Sequence, residues 1–219
     1  RFFMPIQMLS FFCGALGLYG MLYLNPLAYL VLLMLVVFTV LYGLPIFPAQ
    51  KNLRAIKGMK IYIVAIVWAL ATVVLPLSTL GVKIVLQLTN PSDPFGFVGV
   101  LGLFLSHFFL VLALMVPFEL RDYLEDTPQL ATLPQRYGLQ KTKYIGIFWS
   151  LLFLGGHLFA GAILKWPIQI VGVSLIITLL LIIGIFYSGK HSSSYFTNFW
   201  VEGIPILFAF LWWAFESFL

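Results

Sequence analysis

Charged residues are scarce in this chain, since only 9% of its 219 residues are Asp, Glu, Lys or Arg. A soluble domain usually carries about 25%, so too few charges are present to cover a water-soluble globule, and a soluble enzyme is excluded. The single cysteine, Cys13, can form no internal disulfide, which excludes a disulfide-framed secreted module. The chain is instead 62% hydrophobic, with a mean hydropathy of +1.07. The solvent that suits such a sequence is a lipid bilayer.

Seven apolar stretches are long enough for membrane spans, because a helix needs about 20 apolar residues to cross a bilayer. They are predicted at 3–24, 27–47, 61–82, 97–118, 144–164, 167–187 and 199–215. The dipeptides Asn25-Pro26 and Trp166-Pro167 predict tight turns, since proline restricts the residue before it and starts a helix well. Residues 1–219 are therefore predicted to form a single all-α integral membrane domain with seven transmembrane helices.

The basic residues predict how the chain is oriented. When Arg1 and alternate loops are placed on one side, ten of the 12 Lys and Arg residues lie there and only Lys83 and Lys165 lie opposite. Basic loops stay in the cytoplasm, so we expect an integral membrane protein, of the bacterial inner membrane, whose charged loops are cytoplasmic. The net charge is +5, but the basic residues are not interleaved with aromatic residues on a soluble face. No nucleic-acid partner is expected.

Acidic residues cluster at the end of the fourth predicted span. Four of the seven lie within eight positions, namely Glu119, Asp122, Glu125 and Asp126. At about 100° per residue, Glu119, Asp122 and Asp126 fall within a sector of about 60° on one helical face, whereas Glu125 is expected to pair with Arg121. A D-x-x-x-D pair at a helix mouth is suited to holding Mg²⁺ against a diphosphate. A solvated helix end explains the same spacing equally well.

A basic loop precedes this cluster. Lys51, Arg54, Lys57 and Lys60 recur every three residues, which predicts one side of a short interfacial helix. The loop either binds anionic lipid headgroups or turns some of its side chains inward to meet phosphate oxygens. In the second case Arg54 would use its planar fork and Lys51 its point charge.

Residues 116–126, with the sequence VPFELRDYLED, are followed by Thr132-Leu133-Pro134 and by Arg136-Tyr137-Gly138. This run resembles the second aspartate-rich motif of the UbiA-type intramembrane prenyltransferase superfamily. The loop that begins at Leu41-Tyr42 is similar to the tyrosine- and lysine-bearing loop between that family's fourth and fifth helices. Such proteins have nine helices, and the seven predicted here would align with the third through the ninth.

The resemblance implies roles for individual residues. Asp122 and Asp126 would be the catalytic Mg²⁺ ligands, and Glu119 stands where the family usually has aspartate and would also be a ligand. Lys51, Arg54 and Tyr42 would bind the diphosphate. The implied reaction is Mg²⁺-dependent ionisation of an allylic prenyl diphosphate and capture of the carbocation by a lipophilic or aromatic acceptor. An aromatic acceptor of a quinone pathway is the commonest use in the family.

The chain departs from the family at the first aspartate motif, an N-x-x-x-D-x-x-x-D-like run. No carboxylate precedes Asp93, and the chain begins with Arg1 rather than methionine. We expect an N-terminal truncation that removes two helices and this motif, and enzymatic activity in the full-length protein. The alternatives are a non-catalytic UbiA-like homologue and, from another class, a membrane transporter or scaffold.

Two further features lie inside the predicted spans. His107 and His157 fall mid-span, where a polar ring is a functional hypothesis by default, although a histidine bonded to a neighbouring helix is the commoner outcome. Gly155-Gly156 and the glycines at 14, 17 and 20 are typical of small-residue faces, which predicts close helix packing there.

Overall fold

The apolar stretches fold into helices because a backbone in a bilayer must satisfy its own hydrogen bonds. The computed structural model describes residues 3–45, 53, 56–80, 94–126, 130–189, 193 and 195–217, and every regular element among these residues is helical. The α-helices are α1 Phe3–Met21, α2 Pro26–Gly43, α3 Lys60–Ala69, α4 Leu75–Thr79, α5 Pro94–Arg121, α6 Leu133–Tyr137, α7 Leu139–Leu164, α8 Ile168–Tyr187 and α9 Gly203–Ser217. Short π-helical segments, Leu70–Val74 and Phe196–Val201, join α3 to α4 and precede α9.

Six helical stretches are long and apolar enough to cross a membrane. They are Pro26–Gly43, Lys60–Thr79, Gly96–Leu124, Leu139–Leu164, Ile168–Tyr187 and Phe196–Phe215. These six correspond to the second through the seventh predicted spans. The first predicted span, 3–24, falls on α1, whose apolar stretch Gln7–Met21 is shorter. The all-helical, membrane-type architecture is confirmed, whereas the count of seven spans is not.

The two predicted proline turns both end one helix and start the next. Asn25 caps α2 by accepting the Ala28 N–H at 3.0 Å, and its amide group donates to the Ser78 carbonyl at 2.7 Å, which ties the start of α2 to α4. At the other turn, Lys165 adopts a left-handed conformation with φ 56°, and the Trp166 N–H donates to the Gly161 carbonyl at 2.9 Å. Pro167 then starts α8, so α7 and α8 form an antiparallel hairpin.

The centre of the bundle is the packed pair α5 and α7, with α3 and α8 against it. Small residues allow the close approach of the pair. A Cβ atom at Gly156 would lie 3.2 Å from the Ser106 Cβ, and one at Gly146 would lie 3.0 Å from Val116 Cγ2. Large apolar side chains, including Phe153, fill the rest of this core. The predicted small-residue face is therefore confirmed at Gly156.

The other predicted glycine contacts are not formed. Within the described part of the chain, nothing lies within 4 Å of a Cβ built at Gly155 or at the glycines 14, 17 and 20. The prediction of close packing was wrong at these positions, because Gly155 faces outward and the side chains of residues 7–20 along α1 are exposed.

Gly155 and Gly156 allow a matched test of this packing. We expect Gly156→Leu to lower the free energy of unfolding by about 1–3 kcal/mol, because it overpacks the contact between α5 and α7. Gly155→Leu should change it by less than about 0.5 kcal/mol, since its side chain would point away from the bundle. SDS-induced unfolding of the purified protein in detergent micelles measures both. Equal losses in the two variants would contradict the packing described here.

Candidate functional site

The acidic cluster lies where α5 ends. The chain is α-helical as far as Arg121 and then tightens into a 3₁₀ turn over Asp122–Leu124. The backbone N–H groups of Glu125 and Asp126 both donate to the Asp122 carbonyl, each at 2.9 Å. The predicted shared face assumed a regular α-helix through Asp126, whereas the α-helix ends at Arg121. We call Glu119, Asp122 and Asp126 together the carboxylate rim.

Glu119 is the buried member of the rim, with 3% of its surface exposed. Its Oε2 accepts the Leu133 N–H at 3.1 Å, and its Oε1 lies 3.6 Å from the Lys60 Nζ. Oε1 has no hydrogen-bond partner among the described residues. A buried carboxylate costs several kcal/mol unless a cation and hydrogen bonds compensate it, so this side chain is held inward by α3 and by the start of α6.

A further buried oxygen without a partner lies close to Glu119. In the part of the chain that the structure describes, Asp126 Oδ2 is buried and accepts no hydrogen bond, whereas the Thr132 side chain forms a capping box with Gln135. Asp126 is close enough to Glu119 for the two carboxylates to repel each other. Gln135 joins Asp126 to Thr132, since its Nε2 donates to the Asp126 carbonyl at 3.0 Å and its Oε1 accepts the Thr132 N–H at 3.1 Å.

The Asp122 side chain binds Arg121 rather than a residue that lines the cavity beside Glu119. Its Oδ1 accepts the Arg121 Nε–H at 2.6 Å, and the same guanidinium donates to Thr197 Oγ1 at 2.6 Å and to Asn198 Oδ1 at 2.9 Å. The predicted pair of Arg121 with Glu125 was therefore wrong. The 3₁₀ turn brings Asp122 rather than Glu125 to the guanidinium, and Glu125 is exposed.

A small cavity of about 40 Å³ lies beside Glu119. Its lining includes Gly58, Lys60, Glu119, Thr132, Leu133 and Arg136. The Arg136 guanidinium lies directly over Gly58, because a Cβ there would meet its Nη2 at 2.7 Å. The Gly58 N–H donates to the Leu130 carbonyl at 2.9 Å. Gly58 has φ +70°, so both this backbone conformation and the nearby Arg136 guanidinium require glycine at this position. The cavity has room for about one water-sized species.

The predicted site residues divide into three groups. Glu119 lines the cavity, whereas Asp122 and Asp126 lie next to it along the chain and do not line it. Tyr42 lies in α2, partly exposed and away from this cavity. Lys51 and Arg54 fall outside the described residues.

Sequence reasoning missed several contacts of the site. Lys60 was identified only as one member of the basic loop, and its inward turn depends on where α3 begins. Thr132 and Arg136 were identified only as part of the motif Thr132-Leu133-Pro134 and Arg136-Tyr137-Gly138, and Gln135 was not identified at all. The sequence feature that corresponds to Arg136 is Gly58, because a glycine lets another side chain approach the backbone closely. A glycine alone does not predict which side chain approaches it.

The side-chain oxygens near Glu119 provide only part of the ligand set that a hard cation requires. Among the described residues, no group of three or more His, Cys, Asp and Glu side chains is arranged to hold a metal ion. Two rim carboxylates, Glu119 and Asp126, nevertheless each leave one buried oxygen without a hydrogen bond. Mg²⁺ is usually held by one or two carboxylates together with waters and substrate phosphates, so Glu119 and Asp126 fit such a partial set.

The pair of Lys60 and Glu119 yields a stability prediction. Lys60→Met should lower the free energy of unfolding by about 2–4 kcal/mol, because it leaves the Glu119 carboxylate buried without its cation. Adding Glu119→Gln should restore part of that loss. Lys57→Met is the control, since Lys57 is exposed in the same loop and should be near neutral. An equal, small effect of both lysine variants in detergent unfolding would show that the ion pair contributes nothing.

No protein-family model, curated protein or solved structure matches this chain. The resemblance to the UbiA-type superfamily therefore rests on the motif residues alone. The function proposed below rests on that motif and on the geometry of the carboxylate rim.

Proposed function

We propose that this chain is an intramembrane prenyltransferase of the UbiA type. Its apolar helices would then correspond to the third through the ninth of that family's nine. The proposed activity transfers a prenyl group from an allylic prenyl diphosphate to a lipophilic or aromatic acceptor. The proposed site lies at the carboxylate rim, at the cytoplasmic end of α5.

One observation carries the proposal. The Glu119 carboxylate points into the bundle and is met by a cation from α3, while the buried Oδ2 of Asp126 has no hydrogen-bond partner among the described residues. A helix end that was only solvated would have no reason to bury a charge, since burial is costly. Buried oxygens beside Lys60 and Arg136 suit a ligand that carries both a divalent cation and phosphate oxygens.

We assign a role to each residue of the proposed site from the charge of its side chain. Lys60 and Arg136 would donate to the phosphate oxygens, together with Lys51, Arg54 and Tyr42, whose roles the resemblance implies. Glu119, Asp126 and Asp122 would hold Mg²⁺, which neutralises charge on the departing diphosphate. For Asp122 this requires release from Arg121, because that guanidinium occupies one of its oxygens.

The reaction that this arrangement would support is a substitution at an allylic carbon. The carbon–oxygen bond breaks with its electron pair on the diphosphate, and preorganised positive charge stabilises that leaving group. The allylic cation is then captured by an electron-rich carbon of the acceptor, which loses a proton. The apolar core between α5 and α7 would keep water away from the cation.

Binding tests the proposal directly. The purified chain in detergent micelles should bind geranyl diphosphate only when Mg²⁺ is present. Glu119→Gln and Asp126→Asn should each weaken that binding about tenfold or more, since each removes a ligand charge that the complex needs. Glu125→Gln is the matched control, because Glu125 is the exposed acid beside Asp126 and should bind as wild type does. Isothermal titration calorimetry measures all four proteins.

The catalytic part has its own readout. Membranes that contain the full-length protein should release pyrophosphate in an Mg²⁺-dependent manner when prenyl diphosphate and a panel of acceptors are supplied, and the two rim variants should abolish the release. Binding without release would indicate the non-catalytic homologue. If both variants kept wild-type binding and wild-type release of pyrophosphate, the assigned ligands would be wrong.

A further inference from the structure

A second, larger cavity lies at the opposite end of α7 from the carboxylate rim. It measures about 290 Å³, and its lining includes His157, Gly161, Ala162, Trp166, Ile168 and Ser174. His157 follows the first residue of α7 by 18 positions, which places it roughly 27 Å along the helix at 1.5 Å per residue. All of these residues belong to α7, α8 or the turn between them, so the cavity lies against one helical hairpin.

His157 is the unusual residue of this cavity. It is 1% exposed, and neither of its ring nitrogens has a hydrogen-bond partner among the described residues. The nearby His107 differs, because its Nδ1 lies 3.0 Å from the Leu103 carbonyl of its own helix. A polar group buried in apolar surroundings without a partner costs about 1–3 kcal/mol. The imidazole of His157 therefore requires a hydrogen-bond partner, and none of the described residues supplies one.

Aromatic rings enclose His157 on its remaining sides. The ring centroids of Phe153, Trp166, Phe208 and Trp212 lie 5.5, 5.0, 5.5 and 5.7 Å from that of His157. Among the described neighbours, the ring contacts are apolar or aromatic apart from His107, whose centroid is 6.0 Å away. A partner that reaches His157 must therefore arrive through the cavity, from the side of α8.

We propose that this cavity binds a lipid-soluble ring molecule that carries a hydroxyl group, and that His157 forms a hydrogen bond with that hydroxyl. A dry cavity of about 150 Å³ accepts benzene, so 290 Å³ suits a molecule of about two fused rings. A hydroxyl fits either tautomer of neutral histidine, because it both donates and accepts while the imidazole offers one N–H and one lone pair.

The bilayer supplies the route of entry. Ile168 at the start of α8 is 75% exposed, and Trp166 closes the inner wall of the cavity 5.0 Å from His157. Because the ring nitrogens are covered, the hydroxyl reaches them when the ring of Trp166 or of His157 turns. This site lies at the other end of the bundle from the rim and does not depend on the function proposed there.

A pair of probes tests the proposal. 2-Naphthol and naphthalene have the same ring system and differ only in the hydroxyl. Calorimetric titration into the purified protein in micelles, with titration into empty micelles subtracted, should show naphthol binding about tenfold more tightly than naphthalene. No binding of either probe above the micelle background would overturn the proposal.

Two substitutions test whether the preference for naphthol comes from His157 or from the residues around it. In His157→Phe the ratio of the two affinities should fall to about one, because the ring remains and its nitrogens are gone. In His107→Phe, the matched control, the ratio should stay near ten. An unchanged ratio in His157→Phe would overturn the assignment of the hydrogen bond.

A third variant locates the site. Ala162→Phe should fill the cavity while it leaves His157 in place, so both probes should lose their binding above background. Retention of naphthol binding in Ala162→Phe would show that the probe binds elsewhere and would likewise overturn the proposal.

Discussion

The burial of the Glu119 carboxylate is the constraint on which the rest of the site depends. A single negative charge, removed from water at the end of α5, requires a cation and hydrogen-bond donors. Lys60 at the start of α3 and the N–H of Leu133 at the start of α6 provide them. Three segments that are distant in sequence converge there, and the close contact of Arg136 with Gly58 completes the junction. The proposed diphosphate site lies at this junction.

The two ends of the bundle differ in chemistry because the chain places its charges unevenly. At one end, the Glu119 carboxylate and the basic side chains of Lys60 and Arg136 border a small cavity. At the other, aromatic rings surround His157 beside a larger cavity between α7 and α8. Between them the core of α5 and α7 is apolar and closely packed at Gly156. A charged headgroup and a lipophilic ring would therefore bind at opposite ends of one helical bundle.

Hydropathy predicted seven spans, six of which correspond to helices long and apolar enough to cross a membrane. Proline placement predicted both turns, because turns of this kind follow from local sequence. The partners of the charged groups were harder to predict. Arg121 bonds Asp122 rather than Glu125 since a 3₁₀ turn replaces the last helical turn, and spacing alone assumes a regular helix. The contact of Lys60 with Glu119 joins residues from different helices, which no local pattern encodes. His157 was recognised as polar and mid-span, but its missing partner is visible only once the neighbouring helices are in place.

The proposed function requires the carboxylates of the rim to bind a divalent cation together with a diphosphate. The most direct measurement replaces Mg²⁺ by Mn²⁺ and records its electron–nuclear coupling in the presence of pyrophosphate. We expect a protein-bound Mn²⁺ that couples to ³¹P and whose spectrum differs from that of the Mn²⁺–pyrophosphate complex in protein-free micelles, and a Glu119→Gln/Asp126→Asn double variant that still folds should lose this protein-bound signal. A spectrum of the unaltered protein identical to that of the protein-free complex would contradict binding at the rim.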